Sequence, residues 1–301
     1  MRIVVPDDYG GERLDRTLGR LGGVSRAAAR RLIEGGGVAV DGIVVDTLRR
    51  PVTPGEVIEF EPAVAEELLA PVPVDFAVVY EDAHLAVIDK PTGVVVHPGA
   101  GDPGPTLAAG ILHRWPEVRG VGDEGRWGIV HRLDRETSGL MVVALTAASH
   151  AGLRQMVRRR EVTREYLALV RGTPPAPSGT VDAPLDRDRR RPTRRRVAFG
   201  GRPARTHYRV EEALGDWTLL RLTLETGRTH QIRVHLASIG LPVAGDRVYG
   251  IATGSPRMFL HAQRLAFDHP VGGDRIDVAS PLPPDLAEAV LTARSGPGTT
   301  G

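Results

Sequence analysis

The sequence predicts an α+β fold, in which a largely antiparallel mixed sheet carries packed helices, together with a small N-terminal α/β domain. From residue 74 onward, strand-like apolar runs outnumber helical ones and rarely alternate with them. The first roughly 60 residues have a pattern of their own, and a stretch rich in Ala and Pro follows them. We therefore predict a domain at 1–61, a linker at 62–74, a larger domain at 75–292 and a disordered tail at 293–301.

The N-terminal segment begins with two short predicted helices. Leu14 and Leu18 recur at helical spacing in the first helix, and Ser25 is a candidate N-cap for the second. Asp41 and Gly42 then separate two short apolar runs, a pattern typical of a two-residue β-hairpin. This segment is therefore predicted to fold as a small unit of helices and strands.

This N-terminal pattern resembles the S-four-type RNA-binding domain, which is named after a ribosomal protein. The resemblance implies that basic side chains on the two helices face RNA phosphates. A solvated helix face would show the same charge pattern, and that alternative stays open. The candidate RNA-binding residues are Arg13, Arg16, Ser25, Arg26, Arg30 and Arg31.

The larger domain is predicted to be rich in strands. Helical spacing occurs in two stretches, at about 147–159 and 229–238. The predicted strands lie at 76–80, 85–88, 140–145, 166–170, 206–210 and 217–224. This distribution is what an antiparallel sheet with a few covering helices requires.

The composition excludes several classes of protein. The chain contains no cysteine, so it has no disulfide, no thiolate zinc site and no cysteine nucleophile. Its first residues lack the long apolar core of a signal peptide, and no run of about 18 apolar residues predicts a membrane span. We therefore expect a cytoplasmic protein that makes no membrane contact. We also expect a monomer.

Basic charge is concentrated in one part of the chain. The formal net charge is only +2, yet the segment from Arg154 to Arg209 contains sixteen arginines and five acidic residues, a local excess of +11. Such a concentration indicates a polyanionic partner.

One polar stretch between two apolar runs carries the clearest chemical signal. It runs Gly128-Ile-Val-His-Arg-Leu-Asp-Arg-Glu-Thr-Ser-Gly-Leu-Met-Val-Val142 and holds Asp134 between two arginines. Loops displayed by a rigid sheet often carry reacting groups, so we predict that Asp134 lies on a loop joining two strands. An Asx-turn without any chemical role would use the same residue types.

The string His-Arg-Leu-Asp-x-x-Thr-Ser-Gly at 131–139 resembles the active-site motif of RluA-type pseudouridine synthases. The two-domain layout resembles the branch of that family that acts on the large ribosomal subunit. Three further strings match that family in the right order, at 88–99, 163–166 and 226–235. The resemblance covers most of the chain, from about residue 75 to about residue 285. It implies a sheet of the pseudouridine synthase type and an isomerase that converts uridine to pseudouridine in structured RNA.

The resemblance also implies a catalytic residue and two partners. Asp134 is the carboxylate that attacks the ribose or moves a proton beside it, and both routes stay open. Because burial disfavours charge, this carboxylate needs a cation, and the resemblance supplies Arg233. Tyr166 is implied to be the ring that stacks on the target uracil. A surface arginine and a core tyrosine are the ordinary alternatives for these two residues.

Further candidates are expected to bind the substrate. The target base must leave its helix or loop before the acid can reach it, and Arg132 would fill the vacated space or hold the backbone. The other substrate-binding candidates are His131, Arg228 and Gln231. We expect no cofactor, because nothing is oxidised or hydrolysed on balance. We expect no metal either, because no cysteine or acidic cluster completes a site with His131, His230 and His235.

The arginine-rich segment from Asp186 to Arg205 departs from the family's usual pattern. It has Val197-Ala-Phe-Gly-Gly-Arg-Pro203 where a His-Pro-Met-Gly-Lys-Pro-like run is expected. The departure leaves the proposed active residues untouched. Because such loops contact RNA, it bears on which RNA the protein selects.

The sequence thus favours an RNA pseudouridine synthase that acts on ribosomal RNA, with transfer RNA as a second candidate substrate. A non-catalytic RNA-binding or ribosome-assembly factor could use the same fold, although a scaffold would not need Asp134, Tyr166 and Arg233. A glycoside or nucleoside hydrolase would need two opposed carboxylates, and Glu136 is the only near neighbour of Asp134 in the sequence.

Overall fold

The computed structural model describes residues 1–24, 26–61, 69–97, 105–123, 125–191 and 193–295. The predicted helix cap Ser25, the side chain of Arg26 and residues 62–68 of the predicted linker lie outside the described residues. The chain divides into two compact units, Met1–Leu68 and Leu69–Gly301.

The N-terminal unit combines two helices with a four-stranded antiparallel sheet. Its elements are β1 (Arg2–Val4), α1 (Leu14–Leu21), α2 (Arg26–Glu34), β2 (Val38–Val40), β3 (Ile43–Val44) and β4 (Val57–Phe60), with strand order β1-β4-β2-β3. Leu14 and Leu18 are fully buried, as their helical spacing predicts. The predicted hairpin is also confirmed. Asp41 and Gly42 have φ angles of 50° and 78°, which a type I′ turn requires.

The larger unit is built on a nine-stranded sheet flanked by helices. In chain order its elements are β5 (Ala77–Glu81), β6 (Leu85–Lys90), α3 (Leu107–Arg114), β7 (Ser138–Ala144), α4 (Ala147–Arg159), β8 (Thr163–Arg171), β9 (Ser178–Asp182), β10 (Leu185–Arg187), β11 (Arg195–Val197), β12 (Arg205–Leu214), β13 (Trp217–Leu224), α5 (Gln231–Ser238), β14 (Leu260–Asp268), β15 (Arg275–Ala279) and α6 (Pro284–Ser295).

The strand order of the large sheet confirms the predicted fold class. The order is β5-β6-β7-β14-β8-β13-β12-β9, with β15 paired to β14, while β10 and β11 form a separate two-stranded hairpin. Within the described strands, β7 and β14 pair in parallel and the other pairs are antiparallel.

The central strand β8 shows how the sheet divides the core. Because side chains alternate along a strand, Tyr166, Ala168 and Val170 face one apolar cluster, to which α3, α4 and α5 contribute. Leu167 and Leu169 face the opposite cluster, which α6 covers. Tyr166 therefore lies on the same face of the sheet as α5.

A glycine fixes the start of β7. Gly139 has a φ of 111°, and a Cβ at this position would lie 2.3 Å from the carbonyl oxygen of Ala262 on β14. Only glycine permits this backbone approach, which explains why the Thr-Ser-Gly string ends in glycine. The loop that precedes β7 is thereby held against the sheet.

In the larger unit, two helices and five strands were not predicted. In α3, six of the eight residues are buried, so the helix has no polar face and its sequence shows no helical periodicity. The second missed helix is α6. The missed strands are β9, β10, β11, β14 and β15.

The larger domain also begins earlier and ends later in the structure than the predicted bounds, 75 and 292. Leu69 is buried in the main core, and the Val72 N–H donates to the Ala109 carbonyl at 3.3 Å, so the last residues of the predicted linker pack within the larger unit. The disordered tail was expected from residue 293, but α6 continues to Ser295 because its apolar side chains reach the sheet. Residues 296–301 lie outside the described residues.

Candidate active site

The loop that carries Asp134 lies directly before β7. Its Thr137 N–H donates to the Asp134 carbonyl at 3.1 Å, which closes a turn. On the other side of the loop the chain forms an isolated bridge between Ile129 and Val143. The loop therefore joins one full strand to a single bridged residue, and not two strands as predicted. The Asp134 side chain is 17% exposed.

A turn after β6 holds this loop in place. Lys90 is the only lysine of the sequence and is fully buried. Its Nζ donates to the carbonyls of Pro91 at 2.7 Å, Val94 at 2.9 Å and Arg135 at 3.2 Å. The Gly93 N–H also donates to the Arg135 carbonyl, at 2.9 Å. Lys90 lies in the string at 88–99 that matches the family, but its contacts could not be predicted, because only the fold brings the turn next to the Asp134 loop.

We expect Lys90 to affect how stability depends on pH. Burial lowers the pKa of Lys90 to about 8 from 10.5, so between these values the unfolded chain binds more protons than the folded one. The free energy of unfolding should therefore rise as the pH increases from about 8 to about 10.5. Urea denaturation below and above pH 8 should show this gain in the wild type and not in Lys90→Met. Equal pH dependence in the two proteins would contradict the assignment.

The cation implied for Asp134 lies in the first turn of α5. Arg233 Nη1 donates to Asp134 Oδ2 at 3.0 Å. The Arg233 side chain is 8% exposed, so water screens this ion pair weakly. Two residues 99 positions apart thus meet at the edge of one pocket.

A second carboxylate, which the sequence did not reveal, holds the other side of Arg233. Asp246 accepts from Arg233 Nε at 2.7 Å and from Nη2 at 2.9 Å, and it also accepts from the backbone N–H of Val248 at 2.8 Å. Although burial favours its neutral form, these bonds prevail and the pKa of the Asp246 carboxyl is lowered. The same contacts overcome burial and raise the pKa of Arg233. The surrounding Val243-Ala-Gly-Asp246 has no pattern that distinguishes it from a surface turn.

Asp246 and Asp134 accept hydrogen bonds from different nitrogens of Arg233, so one oxygen of Asp134 remains available to a substrate. Asp246 takes the bidentate edge of the guanidinium, so Asp134 receives a single bond at Oδ2. In the described residues, Asp134 Oδ1 has no hydrogen-bond partner. An ionised carboxylate with one anchored and one free oxygen can act as a nucleophile or accept a proton.

The pocket around this ion pair contains Tyr166. A cavity of about 60 Å³ is lined by Asp134, Arg233 and Tyr166, with Leu224 and Leu260 as apolar walls. Tyr166 is 6% exposed, and burial raises the pKa of its hydroxyl, so the ring is neutral at physiological pH. The structure thus brings together the three residues that the sequence placed in the active site.

A wider cleft of about 520 Å³ adjoins the pocket, and the two share Arg132, Arg164 and Arg228. Further arginines line the cleft: Arg126, Arg154, Arg158 and Arg160. Guanidinium groups at this density suit the phosphate groups of a nucleic acid. The pocket is therefore reached from a strongly basic surface.

A histidine orients Arg132 at the rim of this cleft. Arg132 Nη1 lies 3.2 Å from His97 Nε2. Burial and the positive charge of Arg132 lower the pKa of His97 to about 4, so the ring is neutral at physiological pH. Its Nε2 therefore accepts the hydrogen bond from Arg132.

Two predicted substrate-binding residues mainly contact the protein itself. The His131 ring accepts from the Val142 N–H at 3.1 Å, and burial lowers its pKa to about 3. Gln231 donates to the Arg205 carbonyl and to Thr206, and it accepts from Thr226 and from the Arg228 N–H. The amide of Gln231 has no remaining donor for a substrate, so we assign it to positioning the 226–228 loop.

The other two histidines of the sequence motifs have partners of their own. His230 Nδ1 lies 2.9 Å from the Tyr249 hydroxyl, and the two ring nitrogens of His235 lie 2.9 Å from Thr206 Oγ1 and from the Ala183 carbonyl. Within the residues that the structure describes, no group of three or more His, Asp or Glu side chains is arranged to hold a metal ion. No described helix is long and apolar enough to cross a membrane.

Most of the described RNA-binding candidates in the N-terminal unit are paired with acids. The ion pairs are Arg13–Asp15, Arg16–Glu12 and Arg30–Glu34, with N–O distances of 2.6, 3.2 and 2.9 Å. Arg31 is exposed and has no ion pair within the described residues. Pairing with a carboxylate weakens, but does not cancel, the attraction of these exposed groups for phosphate.

A shielded carboxylate with a free oxygen, a buried aromatic ring and an arginine-lined cleft are the components of an enzyme that acts on a nucleic acid. Family comparisons define it further. Residues 84–238 match the RNA pseudouridylate synthase family, and residues 12–58 match the S4 domain. The chain belongs to the RNA pseudouridylate synthase family.

Curated relatives match this chain over nearly its whole length. Ribosomal large subunit pseudouridine synthase D of Xanthomonas campestris is 41% identical over 97% of this chain and 92% of the relative. The enzyme of the same name from Escherichia coli is 40% identical over 98% and 94%. An uncharacterized RNA pseudouridine synthase of Chloroflexus aurantiacus is 48% identical over 94% and 90%.

A solved structure agrees with these relatives. Human RNA pseudouridylate synthase domain containing 1 superposes with a TM-score of 0.58 at 29% identity, over 71% of this chain and 87% of that chain. The predicted family, enzyme class and N-terminal domain type are therefore confirmed. The protein is an RNA pseudouridine synthase with an S4 domain at its N-terminus.

Proposed function

We propose that this enzyme converts specific uridines of large-subunit ribosomal RNA to pseudouridine, with Asp134 as the catalytic carboxylate acting on a flipped-out base. The observation that carries this proposal is the ion pair between Asp134 Oδ2 and Arg233 Nη1 in a pocket that also contains Tyr166. The ribosomal substrate is proposed because relatives named for the large ribosomal subunit share 40–41% identity over nearly the whole chain.

The reaction requires one carboxylate to act at the sugar. The bond from ribose carbon 1 to the base nitrogen breaks, the uracil turns, and a new bond forms to carbon 5. Carbon 5 then loses its proton to water, and the base nitrogen takes up a proton from water. Asp134 Oδ1 either attacks carbon 1 and is later displaced by carbon 5 of the uracil, or removes the proton from ribose carbon 2 and later returns it. In both routes the charged hydrogen bond from Arg233 Nη1 to Oδ2 orients the carboxylate.

The remaining side chains hold the base and the RNA backbone. The Tyr166 ring stacks on the detached uracil, which has to turn while it remains bound. Leu224 and Leu260 keep water from the reacting sugar. Arg132 and Arg228, which line both the pocket and the cleft, bind phosphates or fill the space that the flipped uridine leaves.

The proposal can be tested with the purified enzyme and RNA labelled with tritium at carbon 5 of uracil. Turnover releases this tritium, since the new glycosidic bond replaces the carbon–hydrogen bond. Transcripts of large-subunit ribosomal RNA should release tritium, and a pool of transfer RNA transcripts should not. Release from transfer RNA alone would overturn the proposed substrate, and mapping pseudouridines in cells that lack the enzyme would identify the position.

The N-terminal unit is proposed to bind RNA phosphates through α1 and α2. We expect Arg26→Ala combined with Arg30→Ala to weaken binding of the ribosomal transcript and to lower the slope of log affinity against log salt by roughly one to two. A matched control removes two exposed arginines of the same unit that belong to neither α1 nor α2, Arg2→Ala with Arg49→Ala. Equal effects of the two double variants would reject the proposed patch.

A further inference from the structure

Phe199 is the most exposed apolar side chain described in this protein. Its relative exposure is 108%, whereas that of Ile43, the next highest, is 72%. The ring extends from a turn in which the Gly201 N–H donates to the Ala198 carbonyl at 3.0 Å, and Gly200 has a φ of 79°. A glycine with this φ at the third position is typical of a type II turn, so Phe199 occupies the second position of a defined turn.

The backbone around Phe199 is anchored, so the ring has a fixed base. Ala198 is 9% exposed, and its N–H donates to the Pro184 carbonyl at 2.9 Å. Leu185 and Arg202 exchange two backbone hydrogen bonds, both at 2.9 Å. A fully exposed phenyl ring buries no apolar surface when the chain folds, and both of its faces are free to stack on a partner.

Phe199 is surrounded in sequence by unneutralised positive charge. Residues 186–205 contain nine arginines and two acidic residues. Six of these arginines are exposed, and within the described residues none of the six forms an ion pair: Arg187, Arg189, Arg190, Arg191, Arg196 and Arg202. A polyanion would neutralise such a surface. A protein partner is a poorer match, because the cores of protein–protein interfaces contain few charged residues.

The β10–β11 hairpin is attached to the helix that carries Arg233. Leu185 packs with Val234 of α5 and with Tyr249. The Arg195 N–H donates to the Tyr249 hydroxyl at 2.6 Å, and the Tyr249 ring lies 5.1 Å from the Arg233 guanidinium carbon. RNA bound by the hairpin would therefore be held at a fixed distance from the catalytic pocket.

We propose that Phe199 is a base-stacking residue, which together with the exposed arginines forms a second RNA-binding surface that selects the substrate. The ring stacks on an unpaired base of the RNA, and the guanidinium groups bind the flanking phosphates. This inference rests on the proposed function, since it takes the RNA bound by the β10–β11 hairpin to be the substrate of the active site.

The test compares Phe199→Ala, Phe199→Leu and Phe199→Trp with the wild-type enzyme. The probes are an RNA hairpin with a single-stranded loop, taken from large-subunit ribosomal RNA, and a fully paired duplex of equal length. Loss of one stacking contact should weaken binding of the RNA hairpin by about 5- to 150-fold in the alanine and leucine variants. The tryptophan variant should bind like the wild type, and the duplex should bind equally to all four proteins.

A control and two further outcomes make the result decisive. Val271→Ala removes another apolar side chain, 49% exposed, and should leave both affinities unchanged. If leucine substitutes fully for Phe199, the contact is apolar without stacking, and the proposal is wrong. If alanine has no effect while the wild type releases tritium from ribosomal transcripts, the proposal fails and the proposed function stands. If the wild type releases no tritium, the proposed function fails, and the hairpin affinities still decide whether Phe199 stacks.

Discussion

Replacing Asp134 with asparagine is expected to lower tritium release by at least about 10³-fold, as other enzymes show when an essential group is removed. The amide has nearly the shape of the carboxylate but is neither a nucleophile nor a base. Arg233 keeps its two bonds to Asp246, so the pocket stays assembled. RNA affinity should remain within a few-fold of the wild type, because phosphate contacts dominate binding.

Glu136→Gln is the matched control for this substitution. Glu136 is the carboxylate nearest to Asp134 in the sequence, and its side chain is 50% exposed and 3.6 Å from Arg135. It should be dispensable, since one carboxylate suffices for the isomerisation. If the Asp134→Asn enzyme keeps its activity, the role given to Asp134 is refuted. Inactivity of Glu136→Gln would support a mechanism with two carboxylates.

The second large effect is expected from Asp246→Asn. Asp246 and Arg233 are 1% and 8% exposed at the side chain, so the substitution leaves a buried guanidinium with only Asp134 as counter-ion. Breaking a buried ion pair typically costs about 3–5 kcal/mol of unfolding free energy. The freed edge of Arg233 can then turn toward Asp134 and occupy its reactive oxygen, so we also expect turnover to fall about 10²-fold.

Asp277→Asn provides a control with the same local geometry at the surface. Asp277 accepts two bonds from Arg264, at 2.8 and 2.7 Å, but these side chains are 42% and 36% exposed. Its loss should cost less than about 1 kcal/mol and leave turnover unchanged. Urea denaturation and tritium release measure the two effects. If the two variants lose equal stability, burial does not decide the strength of the Asp246 pair, and its assigned role is wrong.

The sequence alone predicted the features that short contiguous motifs or local periodicity encode. The motifs around Asp134, Tyr166 and Arg233 identified the family, because each motif is a short contiguous stretch. The helix at 147–159 and the strand at 217–224 were predicted with the observed bounds, since their apolar residues follow the period of the element. The hairpin at Asp41 and Gly42 was predicted because positive φ angles require particular residues.

Contacts between residues that are distant in the sequence could not be predicted in this way. Lys90 and His97 lie in the string at 88–99, yet only the folded chain brings Lys90 to the Arg135 carbonyl, His97 to Arg132 and Asp246 to Arg233. Buried elements were missed for a related reason. The α3 helix is apolar on nearly all sides, so its sequence carries no contrast between a buried and an exposed face.

The amino-acid sequence by itself determined the α+β class, the N-terminal domain type, the reaction class and the aspartate, tyrosine and arginine of the candidate site. Tertiary structure alone decided which donor of Arg233 bonds to Asp134, that Asp246 accepts from two others, and that Phe199 is fully exposed in the turn after β11. The physical reason is that residue type and spacing encode local conformation and chemical capability. Burial, direction and pairing arise only when segments that are separated in the sequence, here by 13 to 99 residues, pack together.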